Sequence, residues 1–174
     1  MKKRIGAVAL AVVLLFTLAC CGKSSQTEQG KQAVDGFFKA MSTLNVEEMK
    51  KYVPEEKAGD LGDAADFEED EELAKNMFSK MSAKYKSGEI ADDATEGTLT
   101  YEVTGLNMED LFMQALSALD ETGEPDMSKI DWEKIKTETN EMEISLKKEK
   151  DHWVLADPEN VLMRALGFQE PIEE

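Results

Sequence analysis

The chain has 174 residues, of which 37 are acidic and 20 basic, for a formal net charge of −17. Phosphate contacts need clustered Lys and Arg, so this balance excludes a nucleic-acid partner. The two cysteines stand side by side at Cys20 and Cys21, which leaves no disulfide framework and no thiolate metal site farther along.

Met1, Lys2, Lys3 and Arg4 open a segment that then carries no charge from Ile5 to Gly22. A basic start, an apolar stretch and small residues at its end make an export signal over residues 1–19. A retained membrane span is the other reading, at the lower edge of the length a bilayer requires. Either one places the chain from Lys23 onward outside the cytoplasm. The segment "FTLAC", residues 16–20, resembles the lipobox of bacterial lipoproteins. That resemblance implies that Cys20 is lipidated on sulfur and becomes the mature N-terminus, a cut before Cys21 being the alternative. Two acyl chains, at about 0.8 kcal/mol per buried methylene, hold a protein stably on a membrane. The processed chain keeps 17 basic residues against 37 acidic ones, a net charge of −20. Such a charge repels an anionic bilayer, so the expected membrane contact is the N-terminal lipid.

"CGKSSQTEQG" lacks apolar periodicity, so residues 20–30 are expected to be the lipidated cysteine and a flexible tether. Residues 31–170 are expected to form one domain, since a mature chain of about 155 residues buries roughly two-thirds of its unfolded surface. Val34, Phe37, Phe38, Met41 and Leu44 recur at helical spacing and predict an amphipathic helix. Asn45 and Glu48 open a short second helix that Pro54 stops, and Glu55 to Asp66 reads as a loop. A third helix is predicted from about Glu68 to Lys86, with Leu73, Met77, Met81 and Tyr85 on one face and Gly88 beyond its end.

The period then changes. Leu99, Tyr101 and Val103 alternate with Thr98, Thr100 and Glu102, which predicts a strand with one buried face. Asn107 and Asp110 cap another helix, in which Met108, Leu111, Phe112, Ala115, Leu116 and Leu119 line up. "ETGEPD" breaks it, and a weaker helical piece from Met127 to about Lys136 carries Ile130, Trp132 and Ile135. Met142, Ile144 and Leu146, answered by Trp153 and Leu155 across a charged turn, predict a hairpin. Asp157 caps a last helix with Pro158 at its first position, Val161, Leu162, Ala165 and Leu166 inward, and Gly167 as its stop. The expected fold class is α+β: N-terminal helices on a curved antiparallel sheet of at least three strands, with inserted helices and a C-terminal helix.

The stretches "AVDGFFKAMSTLNVEEMKKYVPEE", "NMEDLFMQAL" and "MEISLKKEKDHWVLADPENVLMRALG" resemble small lipoproteins of Gram-positive bacteria assigned to domains of unknown function. These are related to the nuclear-transport-factor-two-like superfamily. The resemblance implies a cone of helices against a curved antiparallel sheet. It implies no single activity, since that fold hosts isomerases, dehydratases, immunity proteins and binding modules.

Each chemically suggestive feature has a plain alternative. The single histidine, His152, turns to solvent if Trp153 points inward, and no serine or cysteine nucleophile accompanies it in a motif. "DFEEDEEL" invites a calcium site. The nearest loop register, Asp92 to Val103 with Gly97 sixth, puts Ala94 third and Val103 twelfth, where ligands are needed. Met41, Met77, Met81, Met108 and Met142 fall on apolar faces and read as core filling, not a soft-metal site. Tyr101, Trp132 and Trp153 are the candidate pocket-lining residues, with core packing as the alternative. No catalytic residue, metal or cofactor is implied.

The leading functional expectation is a lipid-anchored, extracytoplasmic, non-enzymatic module that binds a small apolar ligand or an envelope protein. An enzyme using a pocket carboxylate as acid or base is the second expectation, with Asp35 and Glu143 the residues to inspect, although both patterns place them toward solvent. The third is an accessory or immunity-type protein that acts by occupying a partner's surface.

Overall fold

A computed structural model describes residues 25–59 and 71–168; Cys20, the expected export signal over 1–19, positions 60–66 of the expected loop and 68–70 of the expected third helix lie outside them. Helix α1 spans Gln26–Ser42. The Ser25 hydroxyl accepts the Glu28 amide at 3.2 Å, which caps the first turn, and Glu28 itself sits at the positive end of the helix dipole. The helix therefore begins before Gly30, and the expected tether is helical from Gln26 onward. Long-range partners fix this start, and no local periodicity records them. Gln26 Oε1 accepts from Trp153 Nε1 at 2.9 Å and from Lys148 Nζ at 3.1 Å, while the Thr27 hydroxyl accepts the Ile90 amide at 2.8 Å.

Helix α2 is one turn, Val46–Met49, with Asn45 Oδ1 accepting the Glu48 amide at 3.0 Å, and a 3-10 turn Lys50–Tyr52 follows. Among the described residues helix α3 covers Glu71–Phe78. Here the expected long helix is corrected: Ser82–Ser87 is strand β1. Residues four apart share a face in a helix and in a strand alike, so Met77, Met81 and Tyr85 fit both periods. Ser82, Lys84 and Lys86 alternate outward against Met81, Ala83 and Tyr85, and that period of two wins.

Strand β2 is Glu96–Leu106, β3 is Thr137–Glu149 and β4 is His152–Leu155. They form one antiparallel sheet in the order β1-β2-β3-β4, with Tyr85 opposite Tyr101, Leu99 opposite Ile144, and Leu146 opposite Leu155. The fold class is α+β, helices and a four-stranded antiparallel sheet. The inner face, with Leu99, Tyr101, Ile144 and Leu155 at 0% exposure, joins Val34, Phe37 and Met41 of α1 in one core. Thr100, Glu102, Thr104, Glu141 and Glu143 turn to the other, wet face.

Helix α4, Met108–Ser117, follows β2, capped by Asn107 Oδ1 on the Asp110 amide at 2.7 Å. The expected helical piece after it is a 3-10 turn, Met127–Lys129, followed by a further turn that buries Ile130 and Ile135 and half-buries Trp132. Leu106, Leu111, Ala118, Ile130 and Ile135 make a second, smaller core at this end of the sheet. The Lys80 ammonium fastens the segment by donating to the carbonyls of Trp132 at 2.5 Å and Ile135 at 3.3 Å.

Helix α5, Pro158–Ala165, has Asp157 Oδ1 on the Asn160 amide at 3.3 Å, and ends at Gly167, whose φ of 86° is the left-handed stop that glycine supplies freely. It lies close against β2 because Gly105 has no side chain: a Cβ there would stand 1.8 Å from the Ala165 carbonyl oxygen. Among the described residues no helix is long and apolar enough to cross a membrane.

Candidate functional site

Two surfaces carry chemistry. The first lies between α1 and the sheet edge at β1. Tyr101 is at 0% exposure, so its ring belongs to the core and borders no space open to water. Its hydroxyl donates to the Lys31 carbonyl at 3.4 Å and stands beside the Asp35 carboxylate. Asp35 lies on the exposed side of α1, as its position in the helix pattern predicts, and partial burial of its carboxyl raises it above its usual range while the Lys31 charge and the Tyr101 hydroxyl pull it back down. Burial, with Asp35 close by, also raises the Tyr101 phenol. The Tyr85 ring meets Tyr101 edge-on at 5.8 Å and carries the Lys31 ammonium 4.8 Å above its centre. Next to this group runs an open groove of about 450 Å³ with Phe38 and Met81 in its lining and Asp35, Lys39 and Lys84 along it. The groove is wet and of mixed charge.

The second surface is α4. Leu111 to Leu119, "LFMQALSAL", is nine uncharged residues in a chain of which 33% is charged. Gln114 and Ser117 are its polar members, so apolar side chains fall on more than one side of the helix. Leu111 and Ala118 are buried and Ala115 is half-buried, which defines the inward stripe. The expected inward set is corrected for three of its members: Phe112 is 62% exposed, Leu116 46% and Leu119 46%, and Met113 joins them at 57%. In an apolar helix either stripe satisfies the spacing, and the small residues at 115 and 118 let it approach Leu106 and Ile130. Met113 was not singled out by sequence spacing, yet the charge-free run contains it. Glu109 and Asp110 precede the stripe and Asp120 and Glu121 follow it. Asp110 pairs with Lys136 at 3.2 Å.

The three aromatic candidates do not converge. Tyr101 is interior. Trp132 is half-buried in a groove of about 530 Å³ with Leu73, Met127 and Ile130, below Glu71 and Glu72. Trp153, 2% exposed, edges a separate groove with Tyr52 and His152. His152 is exposed, as is Glu143. Met41, Met81 and Met142 are buried, whereas Met77 and Met108 are half-buried.

The ends of the sheet differ. Gln26 and Thr27 of α1 are tied to Trp153 and Ile90, beside the start of β2, whereas α4 follows the finish of β2. Eleven residues of strand separate the two ends, about 33 Å at 3.3 Å per residue. Comparison of the chain with protein-family models, curated proteins and solved structures found no match.

Proposed function

We propose that this chain is a lipid-anchored extracytoplasmic lipoprotein whose folded domain is a non-enzymatic binding module of the cell envelope, with a protein as its partner. The observation that carries the binding reading is the exposed group of Phe112, Met113 and Leu116 on α4, with Leu119 just beyond the helix end, all backed by a small core of their own. Large apolar side chains grouped on one surface mark an interaction site. A small apolar ligand held against the inner sheet face is the weaker version, because α1 already covers Leu99, Tyr101 and Ile144. The likeness to nuclear-transport-factor-two-like domains belongs to the same proposal and is supported by α1 lying on one face of an antiparallel sheet. The anchor is supported by "TLAC" after the apolar run. Metabolic labelling tests it: labelled palmitate enters the wild-type protein and is lost in Cys20→Ser. Label that survives there and disappears in Cys21→Ser moves the anchor by one residue. No label in the wild type overturns the anchor.

One observation favours an enzyme instead, namely the raised Asp35 carboxyl beside the Tyr101 hydroxyl and the groove at β1. Screening the protein against lipids, sterols and peptides, with product analysis of each hit, separates the two. Turnover that Asp35→Asn abolishes overturns the binding-module reading.

A further inference from the structure

Resting on the binding-module reading, we infer that the outer stripe of α4 is a membrane-distal docking surface for a protein that presents an apolar cleft rimmed by Lys and Arg. Leu116 stands four residues after Phe112 and three after Met113 on α4, the spacing by which a helix lays an apolar face into a groove, and Leu119 extends the patch just beyond the helix end. Charge selects the partner. Glu109 stands exposed at one end of the stripe and Asp120, Glu121 and Glu124 at the other, while Asp110 and Asp126 are matched by Lys136 at 3.2 Å and Lys129 at 2.8 Å; residues 107–136 hold eight acidic and three basic residues. A cleft with a basic rim matches that frame, and an acidic one is rejected by it.

The same charges decide against two other occupants. A second copy meeting α4 antiparallel across a two-fold axis would set Glu109 of each copy against Asp120 and Glu121 of the other, acid against acid. An anionic bilayer would be repelled in the same way. Placement agrees: α1 begins at Gln26, six residues after Cys20, so the covalent span from the lipid is at most about 20 Å. That span attaches at the end of the sheet where Trp153 and Ile90 hold α1, and α4 sits beyond the opposite end of β2. A lead this short keeps the α1 end of the domain near the membrane, with the stripe about 33 Å farther along β2.

The test uses the full anchored protein in nanodiscs of neutral phosphatidylcholine and two synthetic amphipathic peptides. They share one leucine face and differ only in flanking that face with lysine or with glutamate. The lysine-flanked peptide is expected to bind saturably and at least about tenfold more tightly than the glutamate-flanked one. Because about half of each stripe side chain is still to be buried, Phe112→Ser and Leu116→Ser should each weaken binding about fivefold to tenfold. Glu143→Gln, which removes one charge from the exposed sheet face, should leave binding unchanged and so controls for general attraction to an acidic protein. Both variants change exposed side chains, and an unaltered melting curve checks that they fold. Equal affinity for the two peptides, or lysine-peptide binding that survives both α4 substitutions, overturns the inference and leaves the binding-module reading in place. Self-association, or adsorption to phosphatidylglycerol vesicles, that the α4 substitutions abolish also overturns it, in favour of a second copy or the bilayer.

Discussion

Gly105→Ala tests the seat of α5 on the sheet. The new Cβ would lie 1.8 Å from the Ala165 carbonyl oxygen and 3.0 Å from its carbon. Restoring an ordinary contact requires the helix backbone to retreat by about 1.4 Å. A peptide oxygen cannot rotate out of the way as a side chain does, so the strain falls on the packing of Val161 and Ala165, which are 5% and 2% exposed. Overpacking costs about 1–3 kcal/mol, and the upper half of that range applies because the neighbour is backbone. For a domain of this size the melting temperature should fall by roughly 6–12 °C, read by circular dichroism during thermal unfolding. In a chain ending at Asp157 the same substitution should cost under about 0.5 kcal/mol, because its partner is gone. A full-length variant melting within about 2 °C of wild type, or an equal cost in the shortened chain, refutes the assigned contact.

Two smaller perturbations probe the anchoring of α1 and the β1 groove. Gln26→Ala removes the acceptor shared by the buried Trp153 indole N–H and the Lys148 ammonium; urea denaturation should show a loss of about 1–2 kcal/mol, and no change would mean that water serves as well. Asp35 has a folded pKa above its unfolded value, because burial outweighs Lys31 and the Tyr101 hydroxyl. Its favourable contribution is therefore complete below about pH 3.9 and is lost as the pH rises through the folded value. Asp35→Asn should melt higher than wild type at pH 7, with the gap closing toward pH 3, and a gap that widens on acidification contradicts the shift.

Elements with a local signature were legible in the sequence. The caps at Asn45, Asn107 and Asp157 each accept the amide three residues on, and the alternation through Leu99, Tyr101 and Val103 and through Met142, Ile144 and Leu146 gives the sheet's inner face. The misses have two physical origins. Spacing by four is common to helix and strand, which hid β1 behind Met77, Met81 and Tyr85. Tertiary partners override local composition, which is why "QTEQG" is helical: Trp153 and Ile90, far along the chain, hold Gln26 and Thr27. The α4 surface was half legible. "LFMQALSAL" announced an apolar helix, but which stripe turns inward is decided by Leu106 and Ile130, the neighbours it packs against.

The outer face of α4 is the center of this account, and photo-crosslinking in cells addresses it most directly. Benzoylphenylalanine placed at Leu116 of the anchored protein should give one discrete protein adduct, and the same group at Glu143, on the exposed sheet face, should give none. Phe112→Ser in the Leu116-labelled protein should diminish that adduct. Lipid adducts alone at position 116, or the same adducts from positions 116 and 143, would contradict the assignment of α4 as the docking surface.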